Sequence, residues 1–289
     1  MTEYRGNCYD QADFDYQFNP RLQAADPDSV QPRRAALSEA LRARRPHLLG
    51  LAYGEREREF VDIFPAPDRT GAPDAPVLVY FHGGYWRTGS ARENNYIAEP
   101  FLAAGACVAV VNYDLSPTVP IATIVGQARR AIAWVGANAG AHGGDGERLF
   151  LLGHSAGAHL VAMALADDTG ETPLEAVRAA AVISGIYDLD PVVRAAVNGE
   201  IGLAPGDIAP FSPLGHPPRV PVPLLVAVGL AESEEWVRQS RLYAEAAEAA
   251  GCPVTRVDLP GGDHYEPLFN LMEPSDPLRT AIVETMGIK

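Results

Sequence analysis

From Glu57 onward, short apolar runs alternate with stretches of helical periodicity, and this rhythm constrains the fold more than any other property of the 289-residue chain. Residues 77–81 read Val-Leu-Val-Tyr-Phe, and 107–113, 148–152, 180–184 and 224–228 are comparable, while the more polar 254–259 reads as the last strand. A continuous run of about five apolar residues suits a strand covered on both faces. Between these runs, 94–104, 121–139, 156–166 and 234–250 carry helical spacing, and 277–286 closes the series. Buried strands alternating with helices predict an α/β fold, a mostly parallel sheet with helices on both faces. Residues 59–64 alternate polar and apolar, as expected of a half-buried edge strand, and 65–76 read as a turn region.

Two intervals break the rhythm. Residues 1–50 are polar and irregular, an extension expected to pack on the core or lid. It contains one Arg-rich helix at 38–45, whose basic cluster (Arg33, Arg34, Arg42, Arg44, Arg45) reads as a solvated face. Residues 187–223 are Pro-rich with one short helix at 192–197, and read as a lid insertion within a domain spanning 51–289.

Composition removes several functions. The formal net charge is -14, which excludes the basic footprint needed for nucleic acid or anionic lipid. The only lysine is Lys289, so neither Schiff-base chemistry on an internal lysine nor a phosphate-binding P-loop is available. Cys8, Cys107 and Cys252 have no metal or redox spacing, and no histidine pair has ligand spacing with a carboxylate, so neither metal nor cofactor is expected. The first fifteen residues hold no apolar signal core and no segment is long enough to span a bilayer, so a cytoplasmic protein without a membrane partner is expected. A homodimer is left open.

The chemistry sits in four short segments. Gly153-His154-Ser155-Ala156-Gly157 fits Gly-x-Ser-x-Gly between a strand and a helix, the context in which that motif exposes a nucleophilic serine. Glycine is needed at both ends because a side chain there would strike neighbouring elements. His82-Gly83-Gly84-Tyr85-Trp86 follows the 77–81 strand. Its glycines let backbone N–H groups approach a ligand, so Gly83 and Gly84, with Ala156, are the expected oxyanion hole. His82 is expected to order this loop. A serine needs an adjacent base, and in such folds the order is serine, acid, histidine. His264, just after the last strand, is the expected base, in preference to His216 in the Pro-rich insertion. The acid should follow the 224–228 strand, where no aspartate occurs; Glu232 is preferred, with Glu234 and Glu235 as alternatives. His154 lines the pocket or packs, His159 is structural, and His47 and His142 sit in loops without partners. Tyr85 and Trp86 are candidate pocket walls.

Together these segments resemble the α/β-hydrolase superfamily, and within its HGG-bearing esterase and lipase branch they look most like the kynurenine formamidases. The resemblance runs from about Tyr53 to Met286 through His82-Gly83-Gly84-Tyr85-Trp86, Asn112-Tyr113-Asp114-Leu115-Ser116-Pro117, Gly153 to Leu160, Ser184-Gly185-Ile186-Tyr187-Asp188-Leu189 and Arg238-Gln239-Ser240. Family members usually carry aspartate at the position matching Glu232. The resemblance implies a serine hydrolase with a small-molecule acyl or formyl substrate, of arylformamidase type, with a small-acyl carboxylesterase as the alternative and a non-catalytic binding module as a remote one. Tyr187 and Tyr265 join the expected pocket. With no internal lysine, a substrate carboxylate would be held by arginine, backbone N–H or hydroxyl groups; Arg87 and Arg194 are the first candidates.

Overall fold

The computed structural model describes residues 2–4, 7–67 and 74–288. Lys289 and half of the expected turn, residues 68–73, lie outside them. Among the described residues, β1 (Thr2–Tyr4) and β2 (Asn7–Tyr9) form an antiparallel hairpin. The other strands are β3 (Leu48–Ala52), β4 (Phe60–Phe64), β5 (Ala75–Phe81), β6 (Cys107–Val111), β7 (Gly144–His154), β8 (Val177–Ile183), β9 (Leu224–Gly229) and β10 (Val254–Leu259). They make one sheet in the order β10-β9-β8-β7-β5-β6-β4-β3. Every pairing from β6 to β10 across that order is parallel; β4 pairs antiparallel with β6 and with β3.

The apolar runs divide between two cores because successive side chains point to opposite faces. Val77, Val79, Phe81, Leu149 and Leu151 join one buried cluster, while Leu78, Tyr80, Phe150 and Leu152 join the other. Helices α5 (Ile121–Asn138), α6 (Ala156–Leu165) and α10 (Glu234–Ala249) cover the first face. The second is covered by α3 (Ala91–Asn94), α4 (Ala98–Ala103), the short α11 (Glu266–Asn270) and α12 (Pro277–Thr285). Two-sided cover is what lets these strands dispense with alternation.

Three expectations change. The edge beside β4 belongs to β3, which the sequence reading left irregular; β4 lies inside the sheet with Asp62 fully buried. The Asp62 carboxylate accepts from Gly50 N–H and Asn95 Nδ2 and pairs with Arg92, so the alternation of 59–64 reflected a satisfied buried polar group rather than a wet face. The extension is structured, with α1 (Gln11–Phe18) and α2 (Val30–Arg42), the latter starting eight residues before the expected helix. The basic cluster is only partly a solvated face: Arg33 and Arg44 are exposed, but others are engaged. Arg42 donates to Arg92 O and Asn95 Oδ1, Arg45 pairs with Glu99, and Arg33 lies 3.9 Å over the Phe269 ring.

The Pro-rich interval folds into α7 (Asp190–Arg194), α8 (Asn198–Ile201) and α9 (Pro205–Phe211). It braces the extension: Arg194 donates to Glu3 O and covers the Tyr4 ring, and Ala196 N–H donates to Asp15 Oδ1. Among the described residues, no helix is long and apolar enough to cross a membrane.

Candidate active site

Parallel strands place their following loops at one sheet edge, the usual location of sites in such folds. The loops after β5, β7, β8, β9 and β10 supply His82 to Trp86, Ser155, Ser184, Glu232 and His264 in turn.

Ser155 stands between β7 and α6 at φ 56° and ψ -121°, a conformation costly for a side-chain-bearing residue and typical of a nucleophile elbow. Its N–H is tied to Ile183 O at 2.9 Å. The flanking glycines are required by space. A Cβ on Gly153 would lie 2.3 Å from Gly157 O, and one on Gly157 would lie 2.0 Å from Phe81 O. The elbow therefore packs backbone to backbone against β5, which brings the Gly83 loop beside it: a Cβ on Gly83 would sit 3.0 Å from the Ser155 Cβ. Tyr85 and Trp86 also have positive φ, so this loop is held in a strained shape. His82 orders it. The buried ring stacks on Tyr113 at 4.2 Å and its Nδ1–H donates to Gly83 O, while the Tyr113 hydroxyl donates to His82 O. Burial drives the His82 pKa down to about 3, so the ring is neutral.

His264 is buried, and its Nδ1–H donates to Glu232 Oε2 at 2.6 Å. The other oxygen of Glu232 accepts from Ser184 Oγ at 2.5 Å and from Gly229 N–H at 2.8 Å. Both oxygens of a buried carboxylate are thus satisfied. Neither Glu234 nor Glu235 takes that place; both open α10, where Glu235 is bonded to Arg238. The Trp236 ring lies 4.5 Å from that of His264. The sequence marked Ser184 only as part of a family-like segment; its positive φ of 50° and its hydrogen bond to Glu232 emerge only in the fold.

A cavity of about 110 Å³ opens over Ser155, against the ~10–15 Å³ that a single water occupies. Gly83, Gly84, Tyr85, His154, Ser155, His264 and Tyr265 line its sheet side. Ala156 is buried directly behind Ser155 at the start of α6. His154 both packs and lines: its Nε2–H donates to His264 O at 2.7 Å, and burial lowers its pKa well below the usual value. The opposite side is Asn19, Pro20, Arg21, Pro27, Val30, Gln31 and Arg34, all from the extension. No residue of 187–223 borders the cavity.

Two expected pocket residues lie elsewhere. Trp86 is fully buried with its ring edge-on to His159, and Tyr187 is fully buried and stacked on Tyr243 at 4.2 Å. Both are large apolar faces that pack better inside than at a cavity wall. His159 donates to Phe211 O and is pushed down to about 4 by burial. His47 has a partner after all, the carbonyl of Arg45 at 2.8 Å.

Known proteins are similar to this chain over most of its length. A family model described as BD-FAE matches residues 61–185. Kynurenine formamidase of Danio rerio is 30% identical over 299 residues, spanning 99% of both chains. The chain belongs to the kynurenine formamidase family of α/β-hydrolases. The Salmo salar kynurenine formamidase is 34% identical over 249 residues, covering 83% of this chain and 82% of that one. A solved candidate thioesterase from Silicibacter sp. TM1040 superposes with a TM-score of 0.82 at 28% identity, covering 93% of this chain and 98% of its own. The protein is therefore a hydrolase, and the extension and insertion belong to the length shared with its relatives.

Proposed function

We propose that the protein hydrolyses a small acyl or formyl group from an aryl amide, with Ser155 as nucleophile, His264 as base and Glu232 as orienting acid. The observation that carries this reading is the buried Glu232–His264 hydrogen bond, lining one cavity with the strained Ser155 elbow. Glu232 holds the Nδ1–H tautomer, which leaves Nε2 to take the Ser155 proton as Oγ attacks the carbonyl carbon. The tetrahedral oxyanion is met by the N–H groups of Gly83, Gly84 and Ala156, already ordered by the His82 loop and the elbow. Imidazolium then returns its proton to the departing arylamine nitrogen. Water, deprotonated by His264, attacks the acyl-Ser155 ester and releases formate or a short carboxylate.

N-formylkynurenine is the substrate type favoured by the formamidase relatives and by the small volume over Ser155. A small-acyl ester is the second reading, favoured by the thioesterase-like neighbour, since the same machinery serves both. The test is kcat/KM for N-formylkynurenine beside aryl esters from formyl to octanoyl. The formamidase reading expects the formyl amide to lead and esters to fall off beyond about four carbons. Longer esters far exceeding the formyl amide would overturn it.

A further inference from the structure

Three arginines line the cavity over Ser155: Arg21, Arg34 and Arg87. Two have their charge answered within the protein. Arg21 Nη2 lies 2.6 Å from Asp28, and Arg87 Nη1 lies 2.6 Å from Glu200. Arg34, near the start of α2, has no carboxylate within ion-pair distance among the described residues. Its Nε and Nη2 are buried without an acceptor. Its guanidinium lies 5.8 Å from the Tyr265 ring, and its charge is felt at His154, one residue before Ser155. The Tyr96 hydroxyl feels it too but makes no well-formed hydrogen bond with it. Leaving buried donors unmade is costly, and a planar fork of N–H groups matches a carboxylate's two oxygens.

We infer that Arg34 anchors a carboxylate carried by the substrate within this cavity. This rests on the reading of Ser155 as the nucleophile of that cavity, and it deepens it: the preferred substrate is an aryl acyl compound bearing a pendant carboxylate. Arg194, expected from sequence to serve such a group, is committed to Asp190 and Glu3 O instead. Arg87 is held by Glu200.

The test compares matched substrate pairs in the wild type, Arg34→Gln and Arg34→Lys. One pair is N-formylkynurenine and its decarboxylated analogue. The other is an aryl acetate with a propanoate side chain and the same ester with that chain as a neutral amide. The wild type should prefer the carboxylate member by ~10- to 100-fold, the range of one charge-assisted pair. Arg34→Gln should abolish the preference through KM, leaving kcat and the neutral members within about threefold, while Arg34→Lys keeps part of it. Equal loss on both members, a preserved preference in Arg34→Gln, or no preference in the wild type overturns the inference. Hydrolysis of the esters alone, with an Arg34-dependent preference, would fail the formamidase reading and support Arg34. Should Arg34→Gln not fold, inhibition of the wild type by benzoylpropanoate and by its amide reads the same contact. The acid binding at least tenfold tighter supports it, and equal inhibition overturns it.

Discussion

One wall of the cavity comes from loops at the ends of β5, β7 and β10, the other from residues 19–34 of the extension. The first is seated on the sheet. Its backbone is fixed by van der Waals contact between glycines and strand ends, and its polar groups are neutral or paired: His82 and His154 bond to carbonyls, and His264 bonds to Glu232. The second is tied to the rest of the molecule by side-chain hydrogen bonds. Tyr85 Oη donates to Phe18 O, Ser233 Oγ to Gln17 O, and Gln31 Nε2 to Glu93 Oε1. It carries the one cavity arginine without a countercharge among the described residues. Chemistry demands a preorganised wall; recognition demands charged groups that a ligand completes. On the proposed reading, turnover belongs to the sheet edge and selection to the extension.

The sharpest way to break that division is to change each wall and separate kcat from KM. Ser155→Ala and His264→Ala should each lower kcat by about 10⁶-fold, and Glu232→Gln by about 10⁴-fold, with unfolding transitions still cooperative. Gly83→Ala should cost kcat ~100-fold or more on the proposed reading, because its methyl group meets His154 Nδ1 at 2.9 Å and would displace a proposed oxyanion donor. Ser184→Ala leaves Glu232 Oε1 with one donor, and a kcat loss of about tenfold is expected in steady-state kinetics. Tyr85→Phe should act on the other wall, raising KM several-fold at near-constant kcat and lowering stability by about 1 kcal/mol. A drop in kcat equal to that of Ser184→Ala would erase the distinction.

Acid supplies a subtler comparison. His82 and His159 have folded pKa values lowered to about 3 and about 4, below the unfolded value near 6.5. Between those limits the unfolded chain binds more protons. Their contribution is therefore complete above about pH 6.5 and is lost as pH falls toward about 3. His159→Gln, which keeps a donor near Phe211 O, should flatten the decline of unfolding free energy by up to ~1.4 kcal/mol per pH unit between about pH 6.5 and about pH 4. Denaturant titrations at several pH values would read it.

What the sequence made legible follows the same division. The elbow, the two-glycine loop and His264 each lie within a few residues of a strand end, so periodicity and local spacing located them. Glu232, the hydrogen-bond partner of His264, was reachable because chain order pointed to one loop. Trp86 and Tyr187 were misplaced because an aromatic beside a motif gives no hint of which way it points, and both turned into the core. Arg34 sits some 120 residues before Ser155 in a stretch that looked solvated. Nothing local announces that α2 folds across the sheet edge, since its docking depends on long-range bonds such as Ser38 Oγ to Glu93 O and Arg42 to Asn95. The alternation around Asp62 was misread for the same reason: its partners Gly50, Arg92 and Asn95 are remote in sequence.

The central claim, that Ser155 is the nucleophile activated by His264, is tested most directly by reacting the protein with a fluorophosphonate and locating the adduct by peptide mass spectrometry. The account predicts one stoichiometric adduct on Ser155, absent in Ser155→Ala and slowed by several orders of magnitude in His264→Ala. An adduct on another residue, or labelling of Ser155 at an unchanged rate without His264, would contradict it.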